Sequence, residues 1–255
     1  MASGHQAPGH TPKWLRHQRE VSEQAARREF KSGLNRIAID VVQETQATRE
    51  LFSQVTMTRA PMPSCGGWAM DASSMLALLH LVRKTRPRLI IECGSGSSTI
   101  WMAYLLEELG RGRIVSLEHD AQYAEHTRAQ LSLHELERRG SIVDAPLIPL
   151  DNLPGAPVWY DLSNIPAGLP EIDLLLVDGP PAYVGKQARY PAVPVMESRL
   201  ANSAAIVLDD TGRPDEQAVL ERWIHEFSEL TLAGVQAARA AFAVWNPQAV
   251  DQGPA

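Results

Sequence analysis

Residues 88–99, RLIIECGSGSST, constrain what this chain can fold into more than any other stretch. Leu89, Ile90 and Ile91 form a short apolar run behind Pro87, the pattern of a strand buried on both faces of a parallel sheet. The run ends in an acid, Glu92, and passes into Gly94-Ser95-Gly96-Ser97-Ser98. From Ser97 the periodicity turns helical, with Ile100, Trp101, Tyr104, Leu105 and Leu109 at three- and four-residue steps. Strand, glycine turn and helix in that order make a site for a nucleotide-type ligand. Small residues let the ligand reach the backbone, and the helix N-terminus offers unpaired N–H groups. A second strand, Arg113 to Leu117, closes on Glu118, which lies 24 residues after Gly94. In a doubly wound α/β sheet an acid so placed accepts hydrogen bonds from both ribose hydroxyls.

The rest of the chain is consistent with one such domain. At 255 residues, with 44% hydrophobic and 21% charged residues, it can bury a substantial core. A net charge of −6 exerts no global pull toward nucleic acid or anionic membrane. No apolar run approaches the roughly 20 residues that span a bilayer, and no apolar leader opens the chain, so a cytoplasmic protein is expected. Cys65 and Cys93 have no paired spacing, which argues against a disulfide framework or a zinc site. Residues 1–13 read as a disordered N-terminus, 14–59 as a helical extension and 60–250 as the main domain.

In the extension, Leu34, Ile37, Val41, Leu51 and Val55 fall on a seven-residue grid interrupted by Glu44 and Thr48. Polar members make this a poor coiled coil, leaving two readings: a helix laid on its own domain, or a homodimer contact. Asp71 is the expected N-cap of a helix running to Lys84, with Met75, Leu78, Leu79 and Val82 inward. Residues 120–139 read as a helix burying Tyr123, Leu131 and Leu136, with His126 and His134 solvated. Ser141–Val143 is a third strand. Residues 146–170 form an insertion, with Trp159-Tyr160 in an apparent strand and no assignable role. Strands at Ile172–Val177 and Ala204–Leu208 follow, with Val195, Met196 and Leu200 in the helix between them. Pro214 opens another helix, and strands near 230–235 and 240–245 end the domain.

ECGSGSST followed by IVSLEHD resembles the first two motifs of class I S-adenosylmethionine-dependent methyltransferases, in the O-methyltransferase branch of catechol and sugar enzymes. The resemblance spans residues 66–246 and is strongest at 88–120 and 171–213. It implies a seven-stranded, mostly parallel Rossmann-like sheet with an antiparallel last strand. It also implies S-adenosylmethionine as cofactor and a small-molecule acceptor. Its donor-binding positions map to Glu92, Gly94, Ser95, Gly96, Ser98, Thr99, Glu118, His119, Asp144, Ala145 and Asp178, with Trp68 and Met70 as further candidates for lining the pocket. Where a dinucleotide fingerprint needs its third glycine, this chain has Thr99, which counts against NAD.

Three acids, Asp178, Asp209 and Asp210, end two strands expected to be neighbours. Clustered carboxylates repel one another, so such a group binds a cation or keeps a proton. The resemblance makes them ligands of a divalent cation such as magnesium, which would position and acidify an acceptor hydroxyl. Capping of the following helix is the alternative, and Arg189 and Arg213 are available to pair with the acids or with an anionic substrate group. Catechol-type enzymes carry a lysine three positions after the first aspartate. Here that position is Pro181, so Lys186 and Tyr183 on the next loop, with Asp178, are the candidate catalytic residues. Two other functions compete: a nicotinamide-dependent dehydrogenase, which leaves the three acids without a role, and a non-catalytic nucleoside-binding scaffold.

Overall fold

The computed structural model describes residues 13–151, 153, 158–234 and 239–247, and the chain divides into two compact units, Met1–Gln46 and Ala47–Ala255. Disorder expected for residues 1–13 lies outside the described residues except at Lys13, which opens helix α1 (Lys13–Ser53). Within the first unit Trp14, Phe30, Leu34, Ile37 and Val41 are all half exposed or more. The last turns of α1 differ. Ala47 and Leu51, with Val55 just beyond, are buried in the same cluster as Met75, Leu78 and Trp101. The second compact unit therefore begins inside α1 at Ala47.

In the second unit, α2 (Ala72–Thr85) is capped as expected, Asp71 accepting from Ser74 N at 2.8 Å. There follow β1 (Leu89–Cys93), α3 (Ser97–Glu108), β2 (Arg113–Glu118), α4 (Ala121–Leu133) and β3 (Gly140–Asp144). The insertion folds into its own antiparallel ribbon, β4 (Leu147–Pro149) with β5 (Val158–Tyr160). Next come β6 (Ile172–Val177), α5 (Ala192–Met196), β7 (Leu200–Leu208), α6 (Pro214–Glu226), β8 (Leu230–Leu232) and β9 (Ala241–Trp245). The sheet order is β3-β2-β1-β6-β7-β9-β8, parallel through β7, with β9 antiparallel to both β7 and β8. This is the seven-stranded α/β architecture expected.

Period-two alternation splits the core into two layers. Ile90, Ile114, Leu174, Leu176 and Val207 face α2 and α3, while Leu89, Ile91, Leu175, Val177 and Ile206 share the opposite layer with Val193, Trp223, Trp159 and Tyr160. Some expectations needed correction. α4 stops at Leu133, short of Arg139, and leaves Tyr123 57% exposed. His134, expected in solvent, is fully buried because Tyr104 Oη lies 2.8 Å from its Nδ1. Leu200 opens β7 instead of closing a helix, since α5 spans only Ala192–Met196. Val235 lies outside the described residues.

Candidate active site

β1 has β2 on one side and β6 on the other, so chain order reverses between β1 and β6. Open α/β sheets bind ligands at the carboxyl ends of strands flanking such a reversal. Here that edge carries the glycine turn. Gly94 sits at φ +99°, and a Cβ there would press to 3.3 Å from Asp178 O, so only glycine lets the two strand ends close up. Beneath the turn, Glu92 is fully buried. Its carboxylate accepts from Thr99 Oγ1 at 2.6 Å, from Ser116 Oγ at 2.5 Å and from Ser98 Oγ. Burial raises its pKa and the three hydroxyls pull it back down, leaving it above the usual carboxylate value. Thr99 Oγ1 also accepts from Gly96 N at 3.1 Å, which ties the turn to the first turn of α3.

A cavity of about 170 Å³ opens above this turn, lined by Trp68, Gly94, Ser95, Glu118, His119, Asp178, Gly179, Tyr160 and Tyr183, among others. Glu118 is only 6% exposed. It accepts from Ser95 Oγ at 2.9 Å and from the His119 and Asp120 backbone N–H groups at 2.9 and 3.1 Å. Burial alone would raise its pKa, but the neighbouring His119 side chain, with the Asp120 N–H and the Ser95 hydroxyl, outweighs it and holds the carboxylate below its ordinary range. His119 Nδ1 lies 3.1 Å from Glu118 Oε1 without the alignment of a hydrogen bond.

The second group of acids lies at the ends of β6 and β7. Asp178, Asp209 and Asp210 each offer an oxygen within 4.8 Å of the others. Arg189, 3% exposed, runs into the middle of them. It donates to Asp178 O at 3.1 Å, Asp209 O at 3.0 Å and Asp210 Oδ2 at 2.9 Å, and stands 3.9 Å from Glu216. Asp210 turns the chain at φ +61° and also pairs with Arg213 at 2.8 Å. Asp209 Oδ1 is buried and accepts no hydrogen bond. Burial first, then the charges of Asp178 and Asp210, push the Asp209 carboxyl up to about 9. Burial likewise lifts Asp178 to about 7, against the pull of Arg189. A cavity of about 280 Å³ borders Asp209 and Asp210, completed by Gly67, Ala69, Asp71, Gly212, Arg213 and Arg239.

A family described as "Methyltransferase domain" matches residues 91–211, which contain the glycine turn, Glu118 and all three acids. The chain carries a methyltransferase domain. Solved structures share its fold. An O-methyltransferase from Bacillus cereus in complex with SAH is 18% identical at a TM-score of 0.53, over 80% of this chain and 90% of that one. The O-methyltransferase TomG from Streptomyces achromogenes, involved in tomaymycin synthesis and in complex with SAM, is 19% identical at 0.51, over 80% and 88%. No match was found among curated proteins.

In the methyltransferase domain the residues marked by sequence separate into three groups. Gly94, Ser95, Glu118, His119, Asp178 and Tyr183 line the cavity. Glu92, Ser98 and Thr99 lie under it, where their hydrogen bonds hold the turn, and Gly96 joins them through its N–H. Asp144, Ala145 and Lys186 stand outside its lining. Arg128 Nη2 draws the Asp144 carboxylate outward at 2.7 Å, Ala145 N is bound to Glu118 O, and Lys186 is exposed. Trp68 lines the cavity, whereas Met70 is 2% exposed and packs in the core. Sequence reasoning missed Asp120, Tyr123, Gly179 and Tyr160. The glycine directly after Asp178 was the available signal, because a strand end without a side chain makes room for something.

Proposed function

We propose that the protein moves a methyl group from S-adenosylmethionine to a hydroxyl oxygen of a small polar molecule. The observation that carries this reading is the cavity at the β1/β6 reversal, floored by the glycine turn and flanked by an ionised, buried Glu118. An anionic carboxylate there suits two ribose hydroxyls, and the turn suits close approach of the amino-acid end of the donor. In the reaction the carbon–sulfur bond of the sulfonium breaks as the carbon–oxygen bond forms. S-Adenosylhomocysteine leaves, and the hydroxyl proton passes to a base or to water. Such a displacement needs alignment above all.

The acceptor would enter through the second cavity. Residues 67–69 alternate between the two chambers, Trp68 lining the first and Gly67 and Ala69 the second, so the acids lie where the two meet. The charged lining there favours a polar acceptor. Asp178, Asp209 and Asp210 fit a divalent cation: with Glu216 they bring four acids against Arg189 and Arg213, and Asp209 Oδ1 has no other partner. When bound, the cation would supply a Lewis acid for the acceptor hydroxyl. Arg189 would hold the acids in register, and Tyr183, which lines the first cavity as Lys186 does not, is the loop candidate for the base. Arg189 also supports a second reading, in which its guanidinium alone stabilises the cluster and no cation is required.

Calorimetry with S-adenosylhomocysteine and with NAD tests the donor; binding of NAD alone would overturn the assignment. Magnesium titration, with and without Asp209→Asn, tests the cation. Magnesium binding that the variant loses, at unchanged S-adenosylhomocysteine affinity, is expected. Turnover of an identified acceptor in excess chelator would leave the Arg189 reading standing. We further propose that the exposed stripe of α1 meets the same stripe of a second copy, since Leu34, Ile37 and Val41 are half exposed or more within the first unit.

A further inference from the structure

Tyr160 ends β5 in the ribbon inserted between β3 and β6, where the sequence shows only an aromatic pair, Trp159-Tyr160, without an assignable role. It is 1% exposed and lines the first cavity, yet its hydroxyl has no hydrogen-bond partner. A buried phenol left without a partner is costly, and native structures seldom keep one without use for it. Its placement is also enforced. The ring meets Trp159 edge-on at 5.0 Å and His119 at 6.1 Å, so it has little freedom to turn away. A Cβ on Gly179 would overlap the Tyr160 oxygen, so the bare backbone after Asp178 is what admits the hydroxyl to the strand ends. The same missing Cβ would also press to 3.2 Å from Cys93 O and 3.3 Å from Gly94 Cα, which places the phenol directly beside the glycine turn.

We propose that the Tyr160 hydroxyl is a binding group for the nucleoside half of the methyl donor, donating a hydrogen bond to a ring nitrogen or a ribose oxygen. The inference rests on the donor reading above. The nucleoside half is chosen because the ring packs on His119, the neighbour of the ribose acid Glu118. Phenol chemistry suits the task. Glu118 and Asp178 in the same lining are carboxyl groups, and the Tyr160 hydroxyl adds a buried O–H donor beside them. Burial raises the Tyr160 pKa, and the hydroxyl keeps its proton. On this view the ribbon is part of the donor site and brings a buried O–H donor to it.

The test is Tyr160→Phe, which keeps the ring and removes only the oxygen, compared with the wild-type protein. Calorimetry is run on each with S-adenosylhomocysteine and with 5′-methylthioadenosine, which lacks the amino-acid end. Both ligands should bind roughly tenfold more weakly to Tyr160→Phe, at an unchanged or higher melting temperature of the free protein. Equal affinity for both ligands in wild type and Tyr160→Phe would overturn the inference. So would a loss confined to S-adenosylhomocysteine, which would move the contact to the amino-acid end. A lower melting temperature with intact binding would make the hydroxyl structural and overturn it as well. Failure of the wild-type protein to bind either ligand would refute the donor reading itself, an outcome separate from all of these.

Discussion

At the residue scale, two buried glutamates of the glycine turn divide the work. Glu92 has both oxygens engaged by Ser98, Thr99 and Ser116, so its role is to set the shape of the turn. Glu118 lines the cavity and holds its charge through the His119 side chain, the Asp120 N–H and the Ser95 hydroxyl. Glu118→Ala should weaken S-adenosylhomocysteine binding by about 1–3 kcal/mol, the worth of hydrogen bonds to a charged group. The comparison by calorimetry is with Glu92→Gln, which should instead lower the melting temperature, because three buried hydroxyls would then face an amide. A Glu118 variant with wild-type affinity would remove that carboxylate from the site.

At the element scale, the parallel strands need their amino ends fixed as well as their carboxyl ends. Asp173 at the start of β6 accepts from Arg88 N at 2.6 Å and from Leu89 N at 3.3 Å, and pairs with the Arg88 guanidinium at 3.1 Å. Partial burial would raise its pKa, but these donors from Arg88 and Leu89 outweigh it and the net shift is downward. A carboxylate whose pKa is lower folded than unfolded stabilises the fold above its unfolded pKa, near 4, and loses that contribution as pH falls through the folded value. Asp173→Asn should therefore cost about 1–2 kcal/mol near pH 7, the range for a partly exposed charge-assisted pair. The difference from wild type should shrink as pH falls through the folded value. Urea melts across pH 2–7 check this, and a pH-independent difference would assign the cost to packing alone.

At the scale of the whole molecule, the boundary inside α1 decides which truncations are informative. Removing residues 1–46 leaves Ala47, Leu51 and Val55 in the core, and the remaining protein should keep wild-type affinity for S-adenosylhomocysteine. If the exposed stripe joins two copies, sedimentation should show the full chain as a dimer and this truncation as a monomer. Cutting at residue 56 is a different experiment. It strips fully buried Leu51 from its cluster, and loss of a side chain of that kind costs about 2–5 kcal/mol. Among the described residues no helix is long and apolar enough to cross a membrane, so the stripe is not a span.

The succession of strands and helices, the glycine turn, Glu118 and the three acids were legible because each follows from local pattern. Apolar runs mark buried strands, glycine marks close approach, and an acid at a strand end has few other places to point. Local pattern says nothing about which side chains from distant segments arrive at the same place. Arg189 could be read only as one of several possible partners, until the fold set it among Asp178, Asp209 and Asp210. His134 looked solvated on its helix face, and contact with Tyr104, thirty residues earlier, buried it. Tyr160 carried no motif at all. Its ring joins the cavity lining, and its hydroxyl sits against Gly179, only because a ribbon from the insertion brings it to a strand end without a side chain, a coincidence of two segments that exists in three dimensions alone.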